Sequence, residues 1–305
     1  MTYSFWFRVK RDFSKNKMVY LMVLPVIIFY IMFMYVPMYG TVIAFQNFRP
    51  VLGIRESQWV GFEHFIRFFE SPFFFRVMRN TFMINIRLLV FGFPAPIILA
   101  LLMNEMRNRK FKKTVQTITY MPFFLSTMVV VGIIFDFTLS TGLINDIVAF
   151  FGGSRRNLLA DPTLFQPIFV TSVIWQTAGW GTIVYLAALA GIDEQLYEAA
   201  MIDGAGRFRR LISITIPSIM PTIIIMLILR MGSMMSVGFE QILLMYMPAT
   251  YETADVISTY VYRMGILQAN WSFATAVGLF NSLINFALIV SANAISRRVN
   301  ETSLW

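Results

Sequence analysis

The chain carries successive blocks of about twenty predominantly apolar residues, the length a helix needs to cross roughly 30 Å of hydrocarbon. Such blocks leave few folds open, because in lipid the backbone N–H and C=O groups must bond within one helix or around a closed barrel. The alternation of apolar and polar residues that marks barrel strands is missing, so helices remain. Only 13% of the residues are charged and 57% are hydrophobic, against about 25% charged in ordinary soluble domains. The expected fold is all-α, a polytopic helical membrane protein.

The blocks place six spans at residues 18–36, 82–103, 115–137, 168–190, 214–235 and 273–295. The first is too long for the core of a cleavable signal peptide and is followed by no small-residue cleavage pattern, so it is expected to stay as an anchor. Lysine and arginine set the orientation. Fifteen of the 25 lie in the N-terminal segment, the links after spans two and four, and the tail, while eight lie in the remaining loops. The positive-inside rule then puts both termini and the 193–212 link in the cytoplasm and residues 139–166 outside. The net charge of +9 is thus a topology signal, and no nucleic-acid partner is expected.

Residues 1–17 read as a cytoplasmic interfacial segment, with Phe5, Trp6 and Phe7 among basic residues. The first transmembrane helix takes 18–38, and 39–78 reads as an external interfacial segment of short helices rich in phenylalanine. Residues 299–305 form a cytoplasmic tail.

Several chemistries are excluded. Without cysteine there is no disulfide or thiolate metal site, and the single histidine, His64, expected at the outer interface, offers little for metal or acid–base work. No metal and no cofactor are expected. No Gly-x-x-x-x-Gly-Lys-Ser/Thr loop is present, so the chain is not an ATP engine, and no nucleophile–base pair marks it as an enzyme. Paired intramembrane carboxylates for proton coupling are missing, since Glu105 and Asp136 fall at opposite ends of their spans.

The 193–217 link reads DEQLYEAAMIDGAGRFRRLISITIP. Helix formers run from 194 to 202, Gly204 and Gly206 break the run, and a second short helix follows to 211. Leu196, Ala200, Phe208 and Leu211 are expected to form one apolar face of a compact knob. Glu198-Ala199-Ala200, then Gly204, Ile214 and Ile216-Pro217 at fixed distances, resembles the EAA signature of permeases in binding-protein-dependent ABC importers. That family usually has leucine before the proline, where Ile216 stands here. The pieces Pro37-Met38-Tyr39-Gly40, Ala44-Phe45-Gln46-Asn47, Gly61-Phe62 and Arg79-Asn80-Thr81 resemble the polysaccharide and oligosaccharide branch.

The resemblance implies a type I importer permease fold, with a transmembrane module over 79–298 and a coupling loop, 193–217, that docks on a separate ATPase. It implies that Glu198, Ala199, Ala200, Asp203, Gly204, Ala205 and Pro217 carry the coupling: Glu198 by a polar link, Gly204 by turning the loop, Pro217 by fixing the start of the next span. It also implies a second homologous permease subunit, two cytoplasmic ATPase subunits, an extracytoplasmic solute-binding protein, a carbohydrate substrate and a bacterial cell membrane.

Polar and aromatic groups within the spans are candidates for the substrate path: Asn281 and Asn285, one helical turn apart, with Trp175, Gln176, Tyr185 and Arg230. Amides bond sugar hydroxyls and aromatic faces stack on pyranose rings. The competing reading is hydrogen bonding between helices, and for Arg87 snorkelling to the outer surface. Import of another solute by the same machinery, and an ion-driven secondary transporter, remain as alternatives.

Overall fold

A computed structural model describes residues 11–300, with side chains to residue 297. Phe5, Trp6 and Phe7 and the tail residues 301–305 lie outside the described residues. Six helical stretches are long and apolar enough to cross a membrane: Lys17–Phe45, Phe74–Asn104, Thr127–Phe150, Pro162–Ala190, Arg207–Gly232 and Trp271–Arg297. The second begins earlier than the sequence indicated, so that Phe74 and Phe75 are helical and a boundary at 79 falls inside Phe74–Arg87.

The expected third span, 115–137, is not one helix. Arg109–Tyr120 passes into a 3₁₀ turn, Met121–Phe124, before Thr127–Thr138 begins. Pro122 starts the turn because it has no N–H to continue the ladder, and Ser126 restarts it by accepting the Val129 N–H at 3.4 Å.

Prolines shape spans one, two and five by a recurring device. Three π-helical turns, Ile31–Tyr35, Leu88–Gly92 and Leu211–Thr215, each end two residues before a proline, namely Pro37, Pro94 and Pro217. A proline ring crowds the carbonyl four residues back and removes one N–H, and the wider turn accommodates both.

The span-four helix Pro162–Ala190 is the centre of the bundle, packing against Pro94–Asn104, Arg109–Tyr120 and Ile216–Gly232. Gly179 permits one of these approaches, because a Cβ there would collide with the carbonyl oxygen of Thr119. Phe165 and Phe169 are fully buried at its N-terminal half with Val130, Ile242 and Met245. A second cluster, Phe68, Val77, Tyr260, Phe273 and Val277, fastens the helix Glu63–Glu70 to spans two and six.

The segment 39–78 is more ordered than short interfacial helices alone would be. A 3₁₀ turn, Tyr39–Phe45, leads into Gln46–Asn47, which pairs antiparallel with Gln58–Trp59 in the register Gln46↔Trp59 and Asn47↔Gln58. His64 is buried beneath this pair rather than at the interface, its Nε2 3.1 Å from the Gln46 carbonyl oxygen. The span-one window, by contrast, has no buried residue in the isolated chain.

Candidate functional site: coupling loop and transmembrane cavity

The 193–217 link folds as two short helices around a glycine. Asp193 caps the first, Glu194–Ile202, by accepting the Gln195 N–H at 2.9 Å. Gly204 then takes φ +75°, a left-handed conformation that lets the Ala205 N–H return to the Ala200 carbonyl at 2.8 Å. The second helix, Arg207–Arg210, continues through the π turn into Pro217. Tyr197 pins the knob to span five, its hydroxyl 2.9 Å from Thr215 Oγ1.

The exposed side differs from the single apolar face read from the sequence. Ala200 and Leu211 are half-buried against the chain, whereas Leu196 and Phe208 point outward together with Met201 and Ile202, the last 87% exposed. Met201 and Ile202 fall outside the stripe that runs through Leu196 and Ala200, so the helical spacing does not flag them. Glu198, Ala199, Asp203 and Pro217 are also exposed, Ala205 half-buried, and neither acid forms an ion pair among the described residues.

Of the six residues singled out within the spans, two share a cavity. Tyr185 and Arg230 line a space of about 440 Å³ between spans two, four and five, with Phe93, Phe123, Trp180 and Ser233. Phe123 and Trp180 stack face to face, centroids 4.7 Å apart and planes within 3°. The Arg230 guanidinium has no carboxylate in ion-pairing reach among the described residues. Thr177, Gly181 and Tyr185, spaced by four residues, mark this face of span four in the sequence. Phe123 carried no such signal, since the break at Pro122 aims it.

The other four residues lie elsewhere. Trp175 lines a separate apolar cavity with Phe137 and Pro167, and Gln176 Nε2 donates to the Leu125 carbonyl at 3.4 Å. Asn285 Oδ1 accepts the Met235 N–H at 2.7 Å, and Asn281 Nδ2 reaches the Met235 carbonyl at 3.5 Å, so both hold the irregular chain that follows Gly232. Asn281 also borders a cavity of about 790 Å³ beside Trp271 and Tyr262. Arg87, expected to snorkel, instead donates through Nη1 to Gln166 Oε1.

Residues 92–301 match the family described as "Binding-protein-dependent transport system inner membrane component". The chain belongs to this family. It is therefore a multi-pass permease component of an ABC importer in the bacterial cell membrane, a class whose ATPase is a separate subunit. The permease is 46% identical to Protein LplB of Bacillus subtilis (strain 168), over 96% of this chain and 92% of that protein. It is 44% identical to the polygalacturonan/rhamnogalacturonan transport system permease protein YteP of the same strain, over 95% and 91%. Among solved structures, a chain of a bacterial alginate ABC transporter, in complex with alginate pentasaccharide-bound periplasmic protein, superposes with TM-score 0.90 and 42% identity. That match covers 97% of the permease and 100% of the other chain.

Proposed function

We propose that this permease forms half of the translocation pathway for an oligosaccharide containing uronic acids. The observation that carries the reading is Arg230, a cation without a counter-ion among the described residues, facing a cavity shared with the Phe123–Trp180 stack and Tyr185. Ionisable groups within membranes are costly and mark substrate paths. A guanidinium binds a carboxylate through two parallel hydrogen bonds, while aromatic rings accept the apolar face of a pyranose. Alginate and polygalacturonan, named for two similar proteins, are both chains of uronic acids.

The second half of the pathway is a homologous permease, the loaded sugar arrives on an extracytoplasmic binding protein, and two cytoplasmic ATPase subunits drive the cycle. The chain itself catalyses no reaction. ATP binding closes the ATPase pair, which draws the two coupling loops together and favours the outward-open arrangement of the spans. Glu198, Gly204 and their neighbours transmit that closure from the cytoplasmic face. The same orientation puts both termini inside.

The test uses the complete importer in proteoliposomes, supplied with its binding protein and a mixture of uronate and neutral oligosaccharides of equal length. Uptake of the uronate chain is expected to exceed that of the neutral chain. Arg230→Gln should lower uronate uptake at least about tenfold, equivalent to about 1.4 kcal/mol, while stimulation of ATP hydrolysis by loaded binding protein persists. Preference for the neutral chain, or unchanged uptake in Arg230→Gln, overturns the reading.

A further inference from the structure

Behind the coupling loop lies a cavity of different character from those within the membrane. Residues 104–107, which follow span two, face Tyr197 of the coupling helix and residues 207–215 at the start of span five, enclosing about 340 Å³. Its wall includes Arg107, Arg207 and Arg210 against one acid, Glu105. None of these four forms an ion pair among the described residues. The Nε–H of Arg210 is buried and has no hydrogen-bond partner among the described residues, an arrangement that calls for an acceptor.

The position of the cavity selects among acceptors. The Tyr197 hydroxyl lies against Thr215, so this side of the coupling helix faces the spans, while Leu196 and Ile202 on other sides are exposed. The surface open to the ATPase is thus the other one. The cavity also sits where Phe74–Asn104 ends and Arg207–Gly232 begins, the level of the cytoplasmic lipid headgroups in the orientation given by the basic residues. Three guanidinium groups exceed what the two oxygens of a carboxylate can accept in paired fashion, whereas a phosphate offers more oxygens. Basic pockets between transmembrane helices on this side are suited to anionic headgroups.

We propose that this pocket binds a phosphate group, carried by an anionic phospholipid or free in the cytoplasm. The bound phosphate bridges the link after span two, the coupling helix and the foot of span five. Through that bridge the anion fixes the coupling loop relative to the spans, making the coupling of ATP hydrolysis to transport sensitive to phosphate chemistry at the membrane surface. Glu105 opposes the bound charge and limits affinity.

The experiment uses the complete importer in nanodiscs, either of zwitterionic lipid alone or with phosphatidylglycerol and cardiolipin, and measures retained lipid by native mass spectrometry. Binding of radiolabelled inorganic phosphate is measured in parallel in the zwitterionic discs. Retention of anionic lipid that falls at least fivefold in Arg210→Gln and in Arg107→Gln, and rises in Glu105→Gln, establishes the lipid source. Phosphate binding that follows the same order establishes the free anion. Arg107 lies on an exposed link, so its variant separates loss of the site from loss of the fold. Wild-type and variant complexes that retain the same lipid and bind no phosphate overturn the proposal, as does a cross-link from position 210 to an acidic residue of the ATPase.

Discussion

Asp255 and Arg263 meet in a two-pronged ion pair, Nη1 donating to Oδ1 at 3.1 Å and Nη2 to Oδ2 at 2.6 Å, with the aspartate side chain fully buried. Arg76 on span two reaches the same carboxylate at 3.0 Å, and Thr259 Oγ1 donates to it at 2.9 Å. Asn80 adds two bonds, to the carbonyls of Glu252 and Asp255. One buried carboxylate therefore ties the segment 251–263, between spans five and six, to span two.

Removing that charge strands two arginines. Asp255→Asn is expected to cost about 3–5 kcal/mol, the range for breaking a buried pair from one side. Asp146→Asn, which breaks only the exposed pair of Asp146 with Arg155, should cost less than about 1 kcal/mol. Thermal unfolding of the purified complex in detergent compares them, and equal midpoints would mean that the Asp255 hub does not stabilise the fold.

Asn285 offers a second contrast. Its Oδ1 takes the Met235 N–H where the helix Ile216–Gly232 has ended, and Asn285→Ala leaves that N–H without its acceptor. A loss of about 1–3 kcal/mol in stability follows. Asn281→Ala removes only a 3.5 Å contact and should be better tolerated. Uptake per assembled complex, measured beside the yield of complex, separates a structural role from a place in the path. Normal yield with lost uptake in Asn285→Ala would return this residue to the path.

The helical class and five of the six spans were legible because burying or lipid-solvating about twenty apolar residues leaves one backbone solution. Gly204 was legible because a glycine between two helix-forming runs has few other reasons to be there, and its φ of +75° agrees. The break at Pro122 was not, since the run around it is apolar throughout and hydropathy does not register one missing N–H. Nor was the Asp255 hub, whose partner Arg76 is 179 residues away in sequence and looked like one more loop arginine. Trp180 and Phe123 escaped for the same reason: their stacking is a tertiary event between two spans.

Orientation is checked with single cysteines, which this cysteine-free chain reports without background. Ser154, exposed in the stretch between Leu143–Phe150 and Pro162–Ala190, should react with an impermeant maleimide added outside. A cysteine at Asp203, exposed on the coupling knob, should react only from inside. Fifteen basic residues against eight support this arrangement. Labelling of Ser154→Cys from the inside alone would reverse the topology.

Coupling gives the last prediction. Glu198 is exposed and forms no ion pair among the described residues, so its replacement should leave the fold within about 0.5 kcal/mol of the native one. Gly204 has open space where a Cβ would stand, so Gly204→Ala meets only the backbone cost of a left-handed residue, about 1–2 kcal/mol. Neither variant should lose insertion or assembly with the second permease. Yet Glu198→Lys reverses a charge on the surface proposed to meet the ATPase, and a bulkier Gly204→Leu both strains the turn and obstructs that surface beside exposed Ile202. Uptake should therefore fall at least tenfold in Glu198→Lys and Gly204→Leu while Gly204→Ala keeps most of it, and ATP hydrolysis should lose its response to loaded binding protein. Hydrolysis and uptake measured in one proteoliposome preparation decide the matter. Wild-type coupling in Glu198→Lys and Gly204→Leu would make this loop a passive connector and move the contact with the ATPase elsewhere on the cytoplasmic face.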